Sequence, residues 1–263
     1  MDFNNIRHGE ERRQARLEPR TIGVAIRAAQ LKIGPMSDIS TRIEPLPAAD
    51  AERLDADGYL LLRGLASAAD VEAMRRAFDD GETADWPAPR GADWRHALVD
   101  LDPAVQRVCK ASAMLAAARR LLGGPFLFAQ VEGREPRPGG GHQLLHRDAA
   151  PGAGGQVVSA LIFLDPWGQE NGGTRLAPGT HRGAGLAAPD GQEHPATVAL
   201  AGEAGDALVF DAKLLHGATR NVSGARRRSL LACYISTALQ GDYEATRRLR
   251  AVRMETGEVF AAP

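Results

Sequence analysis

Cysteine is scarce in this sequence of 263 residues, which contains only Cys109 and Cys233. Two cysteines so far apart cannot build a disulfide framework, and they lack the paired spacing of a structural zinc site. The sequence therefore predicts a protein of a reducing compartment, and we expect it in the cytoplasm.

The sequence also lacks an excess of charge of either sign and a long apolar run. Lysine and arginine (32) nearly balance aspartate and glutamate (33), so no net field favours nucleic acid or an anionic membrane surface. Arg27 and Lys32 interrupt the most apolar stretch, residues 22–33, before it reaches the roughly 18 residues that a membrane span needs. We therefore expect a small-molecule partner, with no nucleic acid and no membrane.

The length and composition fit one large domain preceded by an extension. Hydrophobic residues make up 44% of the chain, which is enough for a sizeable core. Residues 1–40 are rich in arginine, but the glutamates among them argue against an acid-poor transit peptide. We expect residues 1–40 to be a poorly packed, disordered N-terminal extension and residues 41–263 to form a single domain.

Helical patterns come first along the chain, and strand patterns follow. Residues 48–57, residues 67–78 and a longer segment that starts at Asp102-Pro103 and ends at Gly123-Gly124 have helical patterns. Short β-rich runs separated by turns then occupy residues 126–131, 156–165, 207–211 and 228–236. This order predicts a mainly β fold with N-terminal helices, a β-sandwich or jelly roll rather than a parallel α/β sheet.

His146 and Asp148 are the first candidate metal ligands. If this segment is extended, the two side chains share a face and lie roughly 6 to 7 Å apart, close enough to bind one ion. A His-X-Asp tripeptide alone occurs readily by chance in a chain with seven histidines. Arg147 between them also makes the His-Arg-Asp of protein kinases, but the asparagine and the glycine-rich loop of a kinase are missing.

His216, which follows the predicted strand 207–211, is the candidate third ligand. Seventy residues separate it from His146, and a closed antiparallel barrel can bring such distant residues together. Two imidazoles and one carboxylate leave three positions of an octahedral metal open, which suits an Fe(II) oxygenase, whereas a structural zinc site is closed by four ligands. Two open positions can bind a 2-oxo acid and the third dioxygen.

Three consecutive arginines, Arg226, Arg227 and Arg228, follow His216. An arginine can hold the distal carboxylate of 2-oxoglutarate through two parallel charge-assisted hydrogen bonds. Neighbouring residues of a strand face opposite sides, so Arg227 cannot share a face with Arg226 or Arg228. The alternative is that the triplet is only a solvated, charged strand edge.

Four ordered motifs between Leu54 and Ile235 resemble the phytanoyl-CoA dioxygenase family of Fe(II)/2-oxoglutarate-dependent oxygenases. They are Asp57 to Leu65, the His-X-Asp segment Gln143 to Asp148, the run from Leu161 to His181 with its Asn-Gly and Pro-Gly turns, and the segment from Gly205 through the arginines. The resemblance implies a double-stranded β-helix (jelly-roll, cupin-like) core. It also implies Fe(II), the cosubstrate 2-oxoglutarate and dioxygen as cofactors.

The resemblance assigns roles to individual residues. It implies that His146, Asp148 and His216 bind the iron and form the catalytic centre. Arg227 lies eleven residues beyond the distal histidine, the family's usual position for the arginine that binds 2-oxoglutarate, and Gln130 matches a position that faces the cosubstrate pocket.

One family position differs in this chain. Ala218 stands two residues after the distal histidine, where the family often has a serine that bonds the cosubstrate carboxylate. Thr219 would have to replace that serine from the opposite face, because a shift of one residue on a strand reverses the side-chain direction.

The implied reaction couples the oxidative decarboxylation of 2-oxoglutarate, to succinate and CO2, to the hydroxylation of an unactivated C–H bond. Desaturation, epoxidation or ring rearrangement would use the same residues. Two alternatives stay open: a cupin-like metal enzyme that does not use 2-oxoglutarate, and a non-catalytic binding module on the same fold. We expect the loops at residues 83–94, 149–155 and 182–195 to surround the pocket mouth.

Overall fold

The structure is a computed structural model that describes residues 43–82, 97–150 and 156–260. The predicted extension over residues 1–40 and the predicted loop 83–94 lie outside these ranges, as does most of the loop 149–155. Within the described ranges, no helix combines the length and the apolar character that a membrane span requires.

Five α-helices occur in the described residues, four before the main strands and one after them. Gly58, in a left-handed conformation with φ 79°, ends the first helix, and the Ser67 hydroxyl caps the second by accepting from the Asp70 amide. The helices are α1 (Ala48–Asp57), α2 (Ala68–Asp80), α3 (Pro103–Cys109), α4 (Ser112–Leu122) and α5 (Gln240–Thr246).

The prediction of one long helix between Asp102 and Gly123 is wrong, because the chain breaks between α3 and α4. The break places Ser112 at the start of α4, where its hydroxyl accepts from the Glu44 amide at 2.8 Å. Val108 and Leu115, which are seven residues apart in the sequence, would share a face of one unbroken helix. The periodicity therefore does not reveal the break.

Two antiparallel sheets form the body of the described chain. The strands are β1 (Tyr59–Leu62), β2 (Phe126–Arg134), β3 (Gln143–His146), β4 (Val157–Phe163), β5 (Thr174–Leu176), β6 (Val198–Ala199), β7 (Ala207–Asp211), β8 (His216–Ala218), β9 (Ser229–Ser236) and β10 (Val259–Phe260). The larger sheet has the strand order β1-β7-β4-β9-β2-β10 and the smaller the order β3-β8-β5-β6. The predicted runs at 126–131, 156–165, 207–211 and 228–236 correspond to β2, β4, β7 and β9.

The larger sheet buries different residues on its two faces. On β4, Ala160 and Ile162 pack in the cluster that contains the apolar residues of the N-terminal helices. Leu161 and Phe163, which alternate with them, pack with Leu176 of the smaller sheet. The predicted mainly β fold with N-terminal helices around a double-stranded β-helix is thereby confirmed, and the space between the two sheets is its interior.

Candidate active site

His146 and His216 form a direct cross-strand pair in the smaller sheet. β3 and β8 are antiparallel, and the register places the two histidines opposite each other. Their ring centroids are 4.5 Å apart. Strand pairing thus brings together the two histidines that the sequence separates by seventy residues, as the sequence analysis predicted.

Both imidazoles are oriented by the backbone. Nδ1 of His146 lies 2.8 Å from the Leu144 carbonyl oxygen, and Nδ1 of His216 lies 2.9 Å from the Leu214 carbonyl oxygen. Because a carbonyl oxygen only accepts, each Nδ1 carries the proton, and the Nε2 lone pair of the neutral ring is left for a metal.

Asp148 completes the cluster from just beyond the end of β3. Its Oδ1 is 3.5 Å from Nε2 of His146, and its Oδ2 is 3.4 Å from Nε2 of His216. Ligand atoms of all three residues lie within 4.8 Å of one another. The expectation of one extended His-X-Asp strand is inaccurate, because β3 ends at His146 and the chain bends. The Asp148 amide then donates to the Ala212 carbonyl oxygen at 2.9 Å.

The three side chains are electrostatically coupled. Burial raises the pKa of the Asp148 carboxyl, but the charge and hydrogen bonds of His216 and His146 lower it more, and the net pKa is below its usual value. Burial lowers the pKa of His146, but the bonds to Asp148 and to the Leu144 carbonyl raise it more, and the net pKa is above its usual value. A divalent cation here would compete with the His146 proton, and the donor set of two imidazoles and a carboxylate fits such a cation.

Arg147, which lies between His146 and Asp148 in the sequence, is buried. Its Nε donates to the Lys213 carbonyl oxygen at 2.9 Å, and its Nη1 donates to the Ala188 carbonyl oxygen at 2.9 Å. It also forms an ion pair with Asp190 at 2.5 Å. Arg147 therefore ties the end of β3 to the segment before β8 and to the predicted pocket loop 182–195. The sequence analysis had assigned it no role.

The three arginines after β8 have different environments. Arg226 is about half exposed and pairs with Glu135 at 2.5 Å, and Arg228 pairs with Asp165 at 2.8 Å. Arg227 is fully buried, with 0% of its surface exposed. The structure thus places in the interior the arginine that the family spacing selects, and its role in cosubstrate binding stays a prediction.

The Arg227 guanidinium has little compensation for its burial. Its Nη1 makes a long 3.4 Å bond to the Ser229 hydroxyl, and its carbon lies 5.7 Å from the centroid of the Phe163 ring. Nε and Nη2 find no hydrogen-bond partner among the described residues. Burial, followed by the charge of Arg134, lowers the pKa of the Arg227 guanidinium well below its usual value. Because arginine stays protonated in proteins, this buried charge requires an anion.

Arg227 and the metal cluster face the same interior. The Phe163 ring, over which the Arg227 guanidinium lies, belongs to the apolar cluster between the sheets. The same cluster contains Phe210. The Phe210 ring centroid is 4.7 Å from that of His216. The charge of Arg134 acts on both Arg227 and His146. An anion could therefore contact the arginine and a bound metal together.

Gln130 lies on the inner face of β2, opposite Cys233. Its Nε2 donates to Glu132 at 2.9 Å, and its Oε1 accepts from Nη1 of Arg250 at 2.5 Å. Protein groups thus engage both ends of the amide. A role for Gln130 in cosubstrate binding stays a prediction.

Thr174 provides a hydroxyl near the position where this chain has Ala218. Thr219 cannot replace the missing serine in this arrangement, because its hydroxyl donates to the Gln169 carbonyl oxygen at 2.6 Å. The cross-strand partner of Ala218 on β5 is Thr174, which is 2% exposed and whose hydroxyl has no partner among the described residues. The sequence analysis missed Thr174, although it directly follows the Asn-Gly-Gly turn.

Curated relatives align with part of the chain. The Fe(II)/2-oxoglutarate-dependent dioxygenase nvfF of Aspergillus novofumigatus is 32% identical over 127 residues, which are 45% of this chain and 42% of that protein. The dioxygenase cdmA of Talaromyces verruculosus is 36% identical over 108 residues, which are 36% of this chain and 35% of that protein. The matched region thus spans less than half the length of these two relatives.

Solved structures of similar fold include a protein with 2-oxoglutarate bound and an alpha-ketoglutarate-dependent carbocyclase. HygX from Streptomyces hygroscopicus, with nickel and 2-oxoglutarate bound, superposes with a TM-score of 0.62 at 19% identity, over 73% of this chain and 88% of that one. The non-heme, alpha-ketoglutarate-dependent carbocyclase SnoK from nogalamycin biosynthesis superposes with a TM-score of 0.59 at 20% identity, over 83% of this chain and 94% of that one. At these identities the likeness supports the jelly-roll fold alone.

The family assignment rests on the extent of one match. The family model described as phytanoyl-CoA dioxygenase (PhyH) matches residues 54–229, well over half of the chain. These residues include the two histidines, the aspartate and the buried arginine of the site. This protein therefore belongs to the phytanoyl-CoA dioxygenase family.

Proposed function

We propose that this protein is an Fe(II)/2-oxoglutarate-dependent dioxygenase that hydroxylates an unactivated C–H bond of a small molecule. One observation carries the proposal: a cluster of His146, Asp148 and His216 within 4.8 Å shares its interior with a fully buried arginine whose Nε and Nη2 have no hydrogen-bond partner among the described residues. The first feature suits Fe(II), and the second suits the distal carboxylate of 2-oxoglutarate.

The three cluster residues would hold the iron. Their two Nε2 atoms and one carboxylate oxygen fill half of an octahedron, which leaves room for a chelating 2-oxo acid and for dioxygen. The iron, when bound, supplies the activation of dioxygen and the oxidative decarboxylation of 2-oxoglutarate to succinate and CO2. The Leu144 and Leu214 carbonyl oxygens keep both rings in the tautomer that the metal needs.

The interior residues would bind and enclose the cosubstrate. Nε and Nη2 of Arg227, which have no partner in the described part of the chain, can donate two parallel bonds to its distal carboxylate. The Thr174 hydroxyl can donate a third bond, which would replace the serine that is absent at Ala218. Phe163 and Phe210 provide apolar walls, which exclude water and strengthen these bonds.

We expect the substrate to be a small molecule. Related folds have been solved with small natural products, since the epimerase SnoN is in complex with nogalamycin RO and HygX has hygromycin B bound. In this chain, Arg147 holds the loop 182–195 next to the metal cluster. We expect residues of that loop to contact the substrate.

The test is succinate release by the full chain, supplied with Fe(II) and 2-oxoglutarate, against a library of small metabolites. The variant His146→Ala should abolish release, and the matched variant His142→Ala, which changes an exposed histidine of the same segment, should not. Oxygen uptake that is independent of 2-oxoglutarate would instead indicate a cupin-like enzyme. Failure of the wild-type protein to bind Fe(II) and 2-oxoglutarate anaerobically would indicate a binding module.

A further inference from the structure

We infer that Asp165 is a positioning residue for the cosubstrate, which directs the Arg227 guanidinium into the interior by holding Arg228. This inference rests on the proposed function, because it concerns the 2-oxoglutarate pocket. Arg227 would contact the cosubstrate, whereas Asp165 would act through its neighbour in the chain.

Asp165 holds both the backbone and the side chain of Arg228. Its Oδ2 accepts from the Arg228 backbone N–H at 2.8 Å and from Nε at 2.9 Å, and its Oδ1 accepts from Nη2 at 2.8 Å. The Arg228 N–H belongs to the peptide group that joins Arg227 to Arg228. Asp165 therefore restrains the orientation of the backbone from which the Arg227 side chain projects.

The regular sheet does not provide this restraint by itself. β9 begins at Ser229, so Arg227 precedes the strand, and Asp165 likewise follows the end of β4. One backbone bond, from the Leu164 amide to the Arg228 carbonyl oxygen at 3.0 Å, extends the pairing past these ends. The Arg228 N–H bonds to the Asp165 carboxylate. Inside a regular sheet, the same N–H would bond to a backbone carbonyl oxygen of the neighbouring strand.

The pair of Asp165 and Arg228, which we call the clamp, is buried, unlike the pairs of Arg226. The Asp165 and Arg228 side chains are 10% and 11% exposed, whereas Arg226 and its partner Asp79 are 48% and 38% exposed. Exposed ion pairs contribute little to conformation, but removing one partner of a buried, fork-shaped pair is costly. The orientation of Arg227 should therefore depend on Asp165 much more than on the pair between Arg226 and Asp79.

A second arginine supports Asp165 from the helical layer. Nη2 of Arg75, on α2, lies 3.4 Å from Asp165, and Nε of Arg75 donates to the Leu164 carbonyl oxygen at 2.7 Å. Burial raises the pKa of Asp165, but the bonds and charge of Arg228 lower it more, so the net pKa is below its usual value and the carboxylate is charged. The clamp thus extends from α2 through Asp165 to the segment that carries Arg227.

The experiment is calorimetric titration of 2-oxoglutarate into the nickel-loaded full chain, which requires no turnover. Asp165→Asn should raise the Kd for 2-oxoglutarate by about tenfold or more, as expected when a binding group is displaced by a fraction of an ångström to an ångström. The affinity for 2-oxobutyrate, which lacks the distal carboxylate that Arg227 would bind, should not change. That difference would separate positioning of Arg227 from a general loss of structure.

Asp100→Asn is the matched control. Asp100 is another buried carboxylate, 3% exposed, that accepts from the Arg253 and Met254 amides and from Nε of Arg253. Its loss should lower the melting temperature without changing the Kd for 2-oxoglutarate. In an Arg227→Met background, Asp165→Asn should change that Kd no further, because its effect passes through Arg227.

Arg228→Lys tests the clamp if Asp165→Asn does not fold. It keeps the positive charge and the backbone N–H but removes the guanidinium donors that bond to the Asp165 carboxylate. It should therefore raise the Kd for 2-oxoglutarate, as Asp165→Asn should. Unchanged 2-oxoglutarate affinity in the folded clamp variants, or an equal loss of 2-oxobutyrate affinity, would overturn the inference and leave the proposed function intact. A wild-type protein that does not bind 2-oxoglutarate would instead contradict the proposed function.

Discussion

His146 and His216 lie opposite each other on neighbouring antiparallel strands, and each donates its Nδ1 proton to the carbonyl oxygen two residues before it. The two strands thus direct both Nε2 atoms at Asp148. The backbone prepares this geometry before any metal binds, and such preparation reduces the cost of ordering ligands on binding.

The first prediction concerns metal affinity. His216→Ala removes one of three candidate ligands, so it should weaken the binding of Ni(II) or Fe(II) by more than the roughly 10- to 100-fold that loss of a hydrogen-bond partner of a ligand costs. Anaerobic calorimetry measures the change. Equal affinities of His216→Ala and wild type would show that the cluster is not the metal site, and His142→Ala, at an exposed position, is the control for general effects of losing a histidine.

The second prediction is that replacing Arg227 weakens cosubstrate binding but raises the stability of the cosubstrate-free protein. Arg227→Met removes a buried charge whose Nε and Nη2 have no hydrogen-bond partner among the described residues, so it should greatly weaken 2-oxoglutarate binding and stabilise the cosubstrate-free protein by roughly 1 kcal/mol or more. Chemical denaturation without 2-oxoglutarate measures the stability. Arg227→Lys keeps the charge, so it should not gain the stability of Arg227→Met. It should also not bind 2-oxoglutarate as tightly as the wild type does. A destabilised Arg227→Met protein with unchanged cosubstrate affinity would mean that the arginine serves the fold alone.

Sequence patterns predicted the features of this site that depend on local rules. Ser67 and Gly58 mark helix ends through capping and a left-handed conformation, and both act so in the structure. The alternation of side chains along a strand predicted that Arg227 faces a different side from its two neighbours, and Arg227 is fully buried whereas Arg226 is exposed. The family spacing then identified the same residue.

Other features depend on contacts between distant segments, which no local pattern encodes. The Arg147 side chain bonds to residues 33 to 66 positions away along the chain, so only the folded structure reveals its role. The orphan hydroxyl of Thr174 becomes notable only after the register places it beside Ala218. Local rules therefore predicted the candidate ligands, whereas tertiary structure was needed to find the residues that support them.

The third prediction concerns Arg147. Arg147→Met leaves partly buried carbonyl oxygens of Ala188 and Lys213 without their donor, and the loss of a hydrogen-bond partner costs about 1–3 kcal/mol where the group is buried. We expect the free energy of unfolding to fall by roughly 2–4 kcal/mol. Metal affinity should fall as well, because the flanking ligands lose their anchor. Urea denaturation and nickel titration measure both, and a variant with weaker stability but wild-type metal affinity would restrict Arg147 to a structural role.

The fourth prediction is that rising pH lowers the stability of the metal-free protein above about pH 6.5 but raises its affinity for the metal. The raised pKa of His146 contributes stability that is full below about pH 6.5 and is lost as pH rises through the folded pKa. The lowered pKa of Asp148 contributes stability that is present above about pH 3.8 and is lost as pH falls through the folded pKa. In the metal-free protein the pair should therefore stabilise most between about pH 4 and pH 6.5.

Metal binding should follow the opposite trend with pH. The ion displaces the His146 proton, so its affinity should increase from pH 6 to pH 8. Melting temperatures with nickel and with a chelator, measured across this range, test both trends. A gap between the two melting temperatures that is constant with pH would contradict them, and His146→Gln should remove the increase.

The last prediction concerns two threonines next to Ala218. Thr174 is its cross-strand partner, and Thr219 follows it in the sequence. Thr174→Val removes a buried hydroxyl without a described partner, so it should not destabilise the free protein. It should weaken 2-oxoglutarate binding by roughly two- to tenfold, the equivalent of about 0.5–1.5 kcal/mol for one hydrogen bond. Thr219→Val removes a hydroxyl that is bonded to the Gln169 carbonyl oxygen, and it should instead lower stability without changing cosubstrate affinity. Adding Ala218→Ser to Thr174→Val should restore binding, because the serine hydroxyl then lies at the cross-strand position. If the serine does not restore binding, Thr174 does not replace the family's serine.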